Sequence, residues 1–232
     1  MYLCNTMSET KNNVVAYYDE IAEEYDKDRF ANSYGQFIDA QERRVLDALR
    51  IDPERALDLP CGTGRLTDYA SMGGDASEGM MAIARRRHPQ KEFRLMDATH
   101  TPFADGELRT VLSFHLLMHL DMDTVGAMVE EMYRVIEPGG RWICDIPSDK
   151  RRRLVHRSKG EWHGNTSLSI EAMRRLCAGR FDIRSVHGIM MAPVHRLPRG
   201  LRQPMCSIDY ALANSALLKE YSSYMIFELC RC

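Results

Sequence analysis

The sequence lacks several features that would narrow its function at once. No stretch approaches about 18 consecutive apolar residues, so no membrane-spanning helix is expected. The opening residues MYLCNTMSETKNN carry neither a basic region nor an apolar core, so no secretory signal is expected. A surplus of one charge is missing too. The 31 Lys and Arg stand against 33 Asp and Glu, a formal net charge of −2, which gives no global pull toward nucleic acid or an anionic membrane. The 7 cysteines are odd in number and irregular in spacing, with no paired CxxC, and Cys230-Arg231-Cys232 alone makes no zinc pattern. Reduced thiols, no metal centre and a cytoplasmic setting are the expectation. There is no internal repeat and no low-complexity linker, and 232 residues suit one α/β domain better than two.

What is present is organised around ALDLPCGTGR, Ala56 to Arg65. The apolar Ala56, Leu57 and Leu59 read as the end of a buried strand. A turn with Gly62 and Gly64 follows, and then a helix-compatible segment from Arg65. Glycines are needed where a strand reverses sharply and its backbone must approach a ligand. Asp58 places an acid beside that turn. Thr67 stands where a dinucleotide fingerprint GxGxxG wants its third glycine, which argues against a diphosphate cofactor and for a nucleoside with an amino-acid tail.

LDLPCGTGR resembles the first motif of the class I S-adenosylmethionine-dependent methyltransferases of the small-molecule, UbiE-like type, with Pro60 where glycine is commoner. Further stretches match in the family's order across Tyr17 to Ser148. The resemblance implies an α/β, Rossmann-like domain: a seven-stranded, mostly parallel sheet with helices on both faces and an antiparallel last strand. It implies S-adenosyl-L-methionine as cofactor and a small or medium-sized methyl acceptor. An RNA-modifying methyltransferase and a non-catalytic S-adenosylmethionine-binding protein are the alternatives. The expected partner is a small-molecule acceptor, with no nucleic acid and no membrane, in a monomer or homodimer.

Along the chain, Val14 to Arg29 has apolar and tyrosine residues at helical spacing. The resemblance makes this segment a lid, with Tyr17 and Tyr25 covering the cofactor. Phe37 to Leu49 reads as an amphipathic helix ended before Pro53. Only ten residues separate Gly64 from Asp75, so the first crossover helix is expected to be truncated and the second strand very short. Asp75 and Ala76 are the candidates for the ribose, and Ser77 for the N-cap of a helix over Met80 to Arg87. Glu92 to Met96 reads as strand three, and Asp97 and Ala98 after it are the candidates for the adenine. Leu108 to Phe114 reads as a buried strand running into His115 and His119. His115 is the first candidate for a general base, and for cofactor contact, because ligands bind beyond the carboxyl ends of parallel strands. His119 is the second, with His163 and His195 as further alternatives. Cys61 has no partner base in view and is read as packing.

A helix over Asp121 to Ile136, an EPGG turn and a strand over Trp142 to Ile146 complete the cofactor half. Beyond it lie a helix over Leu168 to Cys177, a strand over Phe181 to Met191, a helix around Ile208 to Leu218 and a last strand over Tyr221 to Arg231. Two basic stretches, Lys150 to Lys159 and the loop His195 to Gln203, suggest an anionic acceptor held by Arg196, Arg199 or Arg202. The expected organisation is one domain over 1–232: a helical lid over 1–50, a cofactor-binding core over 51–148 and a substrate-side part over 149–232.

Overall fold

The computed structural model describes residues 9–155 and 166–232. Arg157, Lys159, Trp162 and His163 lie outside them, as does the His195 side chain. Seven strands form one sheet: β1 (Ala56–Asp58), β2 (Met72–Asp75), β3 (Glu92–Leu95), β4 (Leu108–Ser113), β5 (Ile136–Pro147), β6 (Phe181–Ile189) and β7 (Tyr224–Arg231), in the order β3-β2-β1-β4-β5-β7-β6. The first five pair in parallel, and β7 runs antiparallel to both β5 and β6. The helices are α1 (Glu9–Arg29), α2 (Ser33–Leu49), α3 (Glu78–Arg87), α4 (Met122–Val135), α5 (Asp149–Leu154), α6 (Ile170–Leu176) and α7 (Arg199–Ala213).

Strand alternation divides the core in two. Leu57, Val111 and Trp142 pack with Met128 and Met132 of α4 on one face, while Leu112, Ile143 and Ile226 pack with Phe37, Val45 and Leu46 of α2 on the other. The buried Trp142 indole donates to Ser113 Oγ at 3.0 Å, so its one polar group is satisfied. Because β2 lies on one side of β1 and β4 on the other, the chain reverses its winding beside β1. Open α/β sheets bind ligands at the carboxyl end of such a reversal.

Three stretches differ from the sequence expectations. The crossover from β1 to β2 keeps no α-helix; one 3-10 turn, Thr67–Tyr69, is all that remains. Its carbonyls are satisfied from outside: Lys91 Nζ donates to Thr67 O at 2.5 Å and Ala70 O at 2.7 Å. The EPGG segment is a bulge inside β5 rather than a turn before it. Pairing jumps from Leu108 with Ile136 to Thr110 with Arg141, and Gly139 takes φ +77. The basic stretch expected to be a loop up to Gln203 is helical from Arg199, so α7 starts nine residues ahead of the expected Ile208 and ends at Ala213.

Candidate functional site

A cleft of about 1280 Å³, part of it open to solvent, lies at the carboxyl ends of β1 to β4. Its floor is built by short connections that the strands aim there. β1 ends in Asp58, buried and accepting from Thr67 Oγ1 at 2.7 Å. The next turn brings Pro60, Cys61, Gly62 and Thr63 to the wall. The two glycines of the turn do different things. Gly62 takes φ +52, and a Cβ there would meet nothing within 4 Å. Gly64 takes φ +81, but a Cβ there would reach 2.9 Å from the His88 ring and 3.3 Å from Ala84. Gly64 lets α3 pack on the loop, where His88 Nε2 meets Gly64 O at 2.8 Å, and it does not line the cleft.

Asp75 ends β2 and joins two loops. Its carboxylate accepts from Gly62 N at 2.8 Å and Ser77 N at 2.9 Å, and Ala76 lines the wall beside it. Ser77 caps α3 through Met80 N, as the sequence predicts. Asp97, after β3, accepts from the Thr99 N and Oγ1, each at 2.8 Å, and Asp97 and Ala98 both face the cleft. Thus Asp58, Asp75 and Asp97 stand at the ends of three neighbouring strands. Burial pushes Asp58 up to about 7, against the pull of the Thr67 hydrogen bond. Burial likewise raises Asp75 to about 6, although the Ser77 and Gly62 amides hold it down.

α1 roofs this floor and is pinned by its acids. Asp19 accepts from Ser77 Oγ at 2.6 Å and Gly79 N at 2.9 Å; Glu23 pairs with Arg86 at 2.8 Å; Asp26 pairs with Arg87 and accepts from Thr63 Oγ1. Asp19, Glu23 and Asp26 recur at helical spacing, so one stripe faces α3 and the glycine turn. The adjoining face of the helix brings Val14, Val15, Tyr18 and Tyr25 over the cleft. Tyr17 does not line it and instead meets Tyr18 edge-on, 5.4 Å between centroids. The Tyr18 hydroxyl lies 3.2 Å from His119 Nε2. Burial, with Tyr25 adding to it, raises the Tyr18 phenol well above its ordinary value.

His115 reaches the wall at φ +56, where β4 has just ended. Its Nε2 is 2.8 Å from Glu42 Oε1 and its Nδ1 is 3.6 Å from Asp145 Oδ2, while its amide donates to Asp145 Oδ1 at 2.6 Å. Glu42 Oε2 in turn is 2.7 Å from Arg65 Nη2, and Arg65 Nη1 is 2.6 Å from Asp39. The result is a chain of alternating sign, Asp145–His115–Glu42–Arg65–Asp39, with Arg65 lying 4.1 Å over the Phe30 ring. The contact between Glu42 and His115 is short but off-line, an ion pair more than an aligned hydrogen bond. Burial alone would lower His115, but Glu42 and then Asp145 outweigh it and raise it. Burial would raise Glu42, but Arg65 and His115 hold it down to about 2. Glu42, His115 and Asp145 bring possible ligand atoms within 4.8 Å of one another. Yet the two carboxylates flank opposite ring nitrogens, and Arg65 takes the second oxygen of Glu42. That is the chemistry of an ion-pair chain rather than of a metal cage.

The basic stretches lie elsewhere. Arg202 donates to Ser33 Oγ at 2.8 Å, tying α7 to the start of α2, while Arg196 and Arg199 are exposed, and none of the three lines the cleft. Glu42, Tyr18 and Arg65 were not among the residues singled out from sequence. For Glu42 no local signal exists, because its partners are distant in the chain. For Tyr18 the helical phase set by Asp19 and Glu23 was available. The six described cysteines are free thiols.

Residues 57–144 match a family described as a methyltransferase domain. A demethylmenaquinone methyltransferase of Beutenbergia cavernae is 40% identical over 141 residues, 57% of this chain and 57% of that protein. The matched part therefore spans less than two thirds of that relative's length. Among solved structures, a possible histamine N-methyltransferase of Thermotoga maritima, described as S-adenosylmethionine-dependent, has a TM-score of 0.69 at 18% identity, covering 93% of this chain and 98% of that one. The geranyl diphosphate C-methyltransferase of Streptomyces coelicolor, solved with Mg2+, geranyl diphosphate and S-adenosyl-L-homocysteine, has a TM-score of 0.66 at 15% identity, covering 98% and 100%. These two likenesses concern the fold.

Proposed function

We propose that the chain is an S-adenosylmethionine-dependent methyltransferase that transfers a methyl group from S-adenosyl-L-methionine to a small or medium-sized acceptor, a reading supported by its likeness to a methyltransferase domain over residues 57–144. The observation that carries this reading is the set of three acids, Asp58, Asp75 and Asp97, closing three adjacent strand ends around the open face of Gly62. The residues present fit the cofactor. Gly62 leaves room for close backbone approach, and carboxylates suit hydroxyl and ammonium groups. Leu59, Met80, Met96, Leu116 and Leu120 supply apolar wall for a purine. We assign Asp75 and Ala76 to the ribose, Asp97 and Ala98 to the adenine, and Asp58, Pro60 and Gly62 to the amino-acid tail.

The cofactor supplies a methyl group already activated on a sulfonium. The protein's part is then to align the acceptor and exclude water, which can be worth roughly 7–11 kcal/mol. Tyr18 and Tyr25 on α1 close the cleft from above. His115 is held between two carboxylates, one at each ring nitrogen, and their charge raises it against the pull of burial. For an acceptor that must lose a proton, the Tyr18–His119 pair is better placed. The Tyr18 oxygen takes the acceptor's proton while its own passes to His119 Nε2. Such a relay is worth about 10²–10⁴-fold.

We read the chain as one domain, with 1–50 as lid, 51–148 as cofactor core and 149–232 on the acceptor side. A single sheet containing strands from both of the latter supports this. The test is turnover. Protein incubated with methyl-labelled S-adenosylmethionine and a panel of phenols, enols, amines and carboxylic acids should release S-adenosylhomocysteine with at least one acceptor. Tight cofactor binding with no transfer to any of them would favour a binding protein.

A further inference from the structure

Among the described residues large hydrophobic side chains are mostly buried, and most of those that are not gather in one region. Of the ten exposed ones among the described residues, eight lie on the end of α5, on α7 and on the segment from Ala213 through the 3-10 turn Lys219–Tyr221. Leu201, Ile208 and Leu212 of α7 are 54%, 54% and 46% exposed. Their spacing of seven and then four residues puts them on one helix face. The opposite face of α7 is the one that packs: Asp209 accepts from Gln41 Nε2 at 2.7 Å, and Tyr210 lies under Arg44 at 4.2 Å. Leu217 is 86% exposed just beyond the helix, and the turn Lys219–Tyr221 touches both α7 and α5, where Leu154 is 58% exposed.

The charge on these segments is one-sided. Residues 149–155 and 194–221 contain eight Lys or Arg against Asp149, Asp209 and Glu220, in a chain whose net charge is −2. Lys150 is neutralised by Glu220 and Arg153 by Asp149, but Arg196 and Arg199 stand exposed where the chain enters α7. The balanced total charge hides this surplus. The region also has a place in the fold. It follows the carboxyl ends of β5 and β6 and precedes β7, so it starts from the same end of the sheet as the cleft, on the β7–β6 side. Exposed large apolar side chains gathered on neighbouring elements mark an interaction surface more often than an ordinary solvated one. An apolar helix face in a region with a basic surplus is a pattern that lies flat in an anionic lipid interface.

We propose that this face, centred on the Leu201–Ile208–Leu212 stripe of α7, docks the protein on an anionic phospholipid surface. The leucines and isoleucine enter the acyl boundary and the arginines meet the headgroups. No helix among the described residues is long and apolar enough to cross a membrane, so the contact is peripheral. The proposal does not rest on methyl transfer.

The experiment is co-sedimentation of the full chain with vesicles of phosphatidylcholine alone or mixed with phosphatidylglycerol, at low and high salt. Binding is expected to the mixed vesicles, weakened by salt. Ile208→Glu and Leu201→Glu should each lower partition by about tenfold or more, the worth of burying one such side chain. Leu95→Glu, exposed on β3 at the opposite edge of the sheet, should leave it unchanged. Melting curves and cofactor titrations on each variant separate a lost surface from a lost fold. Protein that stays in the supernatant with both vesicles overturns the proposal, as does an Ile208→Glu variant that partitions like wild type. A dimer in light scattering that Ile208→Glu splits, without any vesicle binding, would make the face a self-interface instead.

Discussion

Glu42 Oε1 lies 2.8 Å from His115 Nε2, and through its other oxygen the same buried carboxylate holds Arg65 at 2.7 Å. One side chain of α2 thereby ties the glycine turn to the end of β4. Removing one partner of a buried ion pair costs about 3–5 kcal/mol, so Glu42→Gln should lower stability by that order in urea unfolding. The pH dependence has a definite sign. Glu42 is depressed from 4.5 to about 2, so its contribution is full above 4.5 and fades as pH falls toward 2. His115 is raised from 6.5, so its contribution is full below 6.5 and is lost as pH rises through its folded value. The gap between wild type and Glu42→Gln should be widest between pH 4.5 and 6.5. A pH-independent gap under about 1 kcal/mol would refute the chain's role.

The cofactor site should titrate in the opposite region. Asp58 and Asp75 sit at about 7 and about 6 before any ligand binds. Groups that donate to a carboxylate, or carry positive charge, bind its ionised form more tightly than its protonated form. Affinity for S-adenosylmethionine should therefore fall steadily as pH drops from 8 to 5.5, and Asp75→Asn should flatten part of that slope. A pH-independent dissociation constant would show that neither acid contacts the ligand.

Asp58 carries a stability cost as well. Its folded value lies above its ordinary 3.8, so the ligand-free protein gains stability through this group as pH falls toward 4. Asp58→Asn should melt higher than wild type at pH 8 while binding the cofactor more weakly. A lower melting temperature would mean that the Thr67 bond, not desolvation, dominates there.

The two turn glycines should part company. Gly62→Val faces open space at φ +52, so it should fold with a backbone penalty of about 1–2 kcal/mol and lose cofactor affinity. Gly64→Val meets His88 and Ala84, so it should lose stability before binding can be asked about. Equal melting temperatures for the two would undo this division.

Much of this was legible in the sequence for physical reasons. The strand–glycine turn with Asp58 beside it and the order of strands and helices follow from local pattern, while Asp75 and Asp97 stand out through the family resemblance. The shortness of the 65–75 segment was visible too, but not that Lys91 would satisfy its carbonyls. What stayed hidden depends on tertiary contact. Glu42 sits mid-helix, and nothing near it announces Arg65 and His115. Gly64 reads as a ligand glycine until α3 is seen against it. The basic stretch His195 to Gln203 reads as a loop, yet α7 begins inside it at Arg199.

The lid tyrosines give a separable test. Tyr18 faces the cleft beside His119, and Tyr17 does not. With an acceptor that must lose a proton, Tyr18→Phe should cut kcat by about 10²-fold with little change in cofactor affinity, while Tyr17→Phe should stay near wild type. Similar losses in both would place the relay elsewhere.

The most direct measurement is calorimetric titration of the wild-type protein with S-adenosylhomocysteine, repeated with NADH and on Asp97→Ala and Asp75→Ala. The account predicts saturable one-to-one binding of S-adenosylhomocysteine, none of NADH, and a loss of roughly 0.5–1.5 kcal/mol or more for each variant. No binding by wild type, or full affinity in both variants, would contradict it.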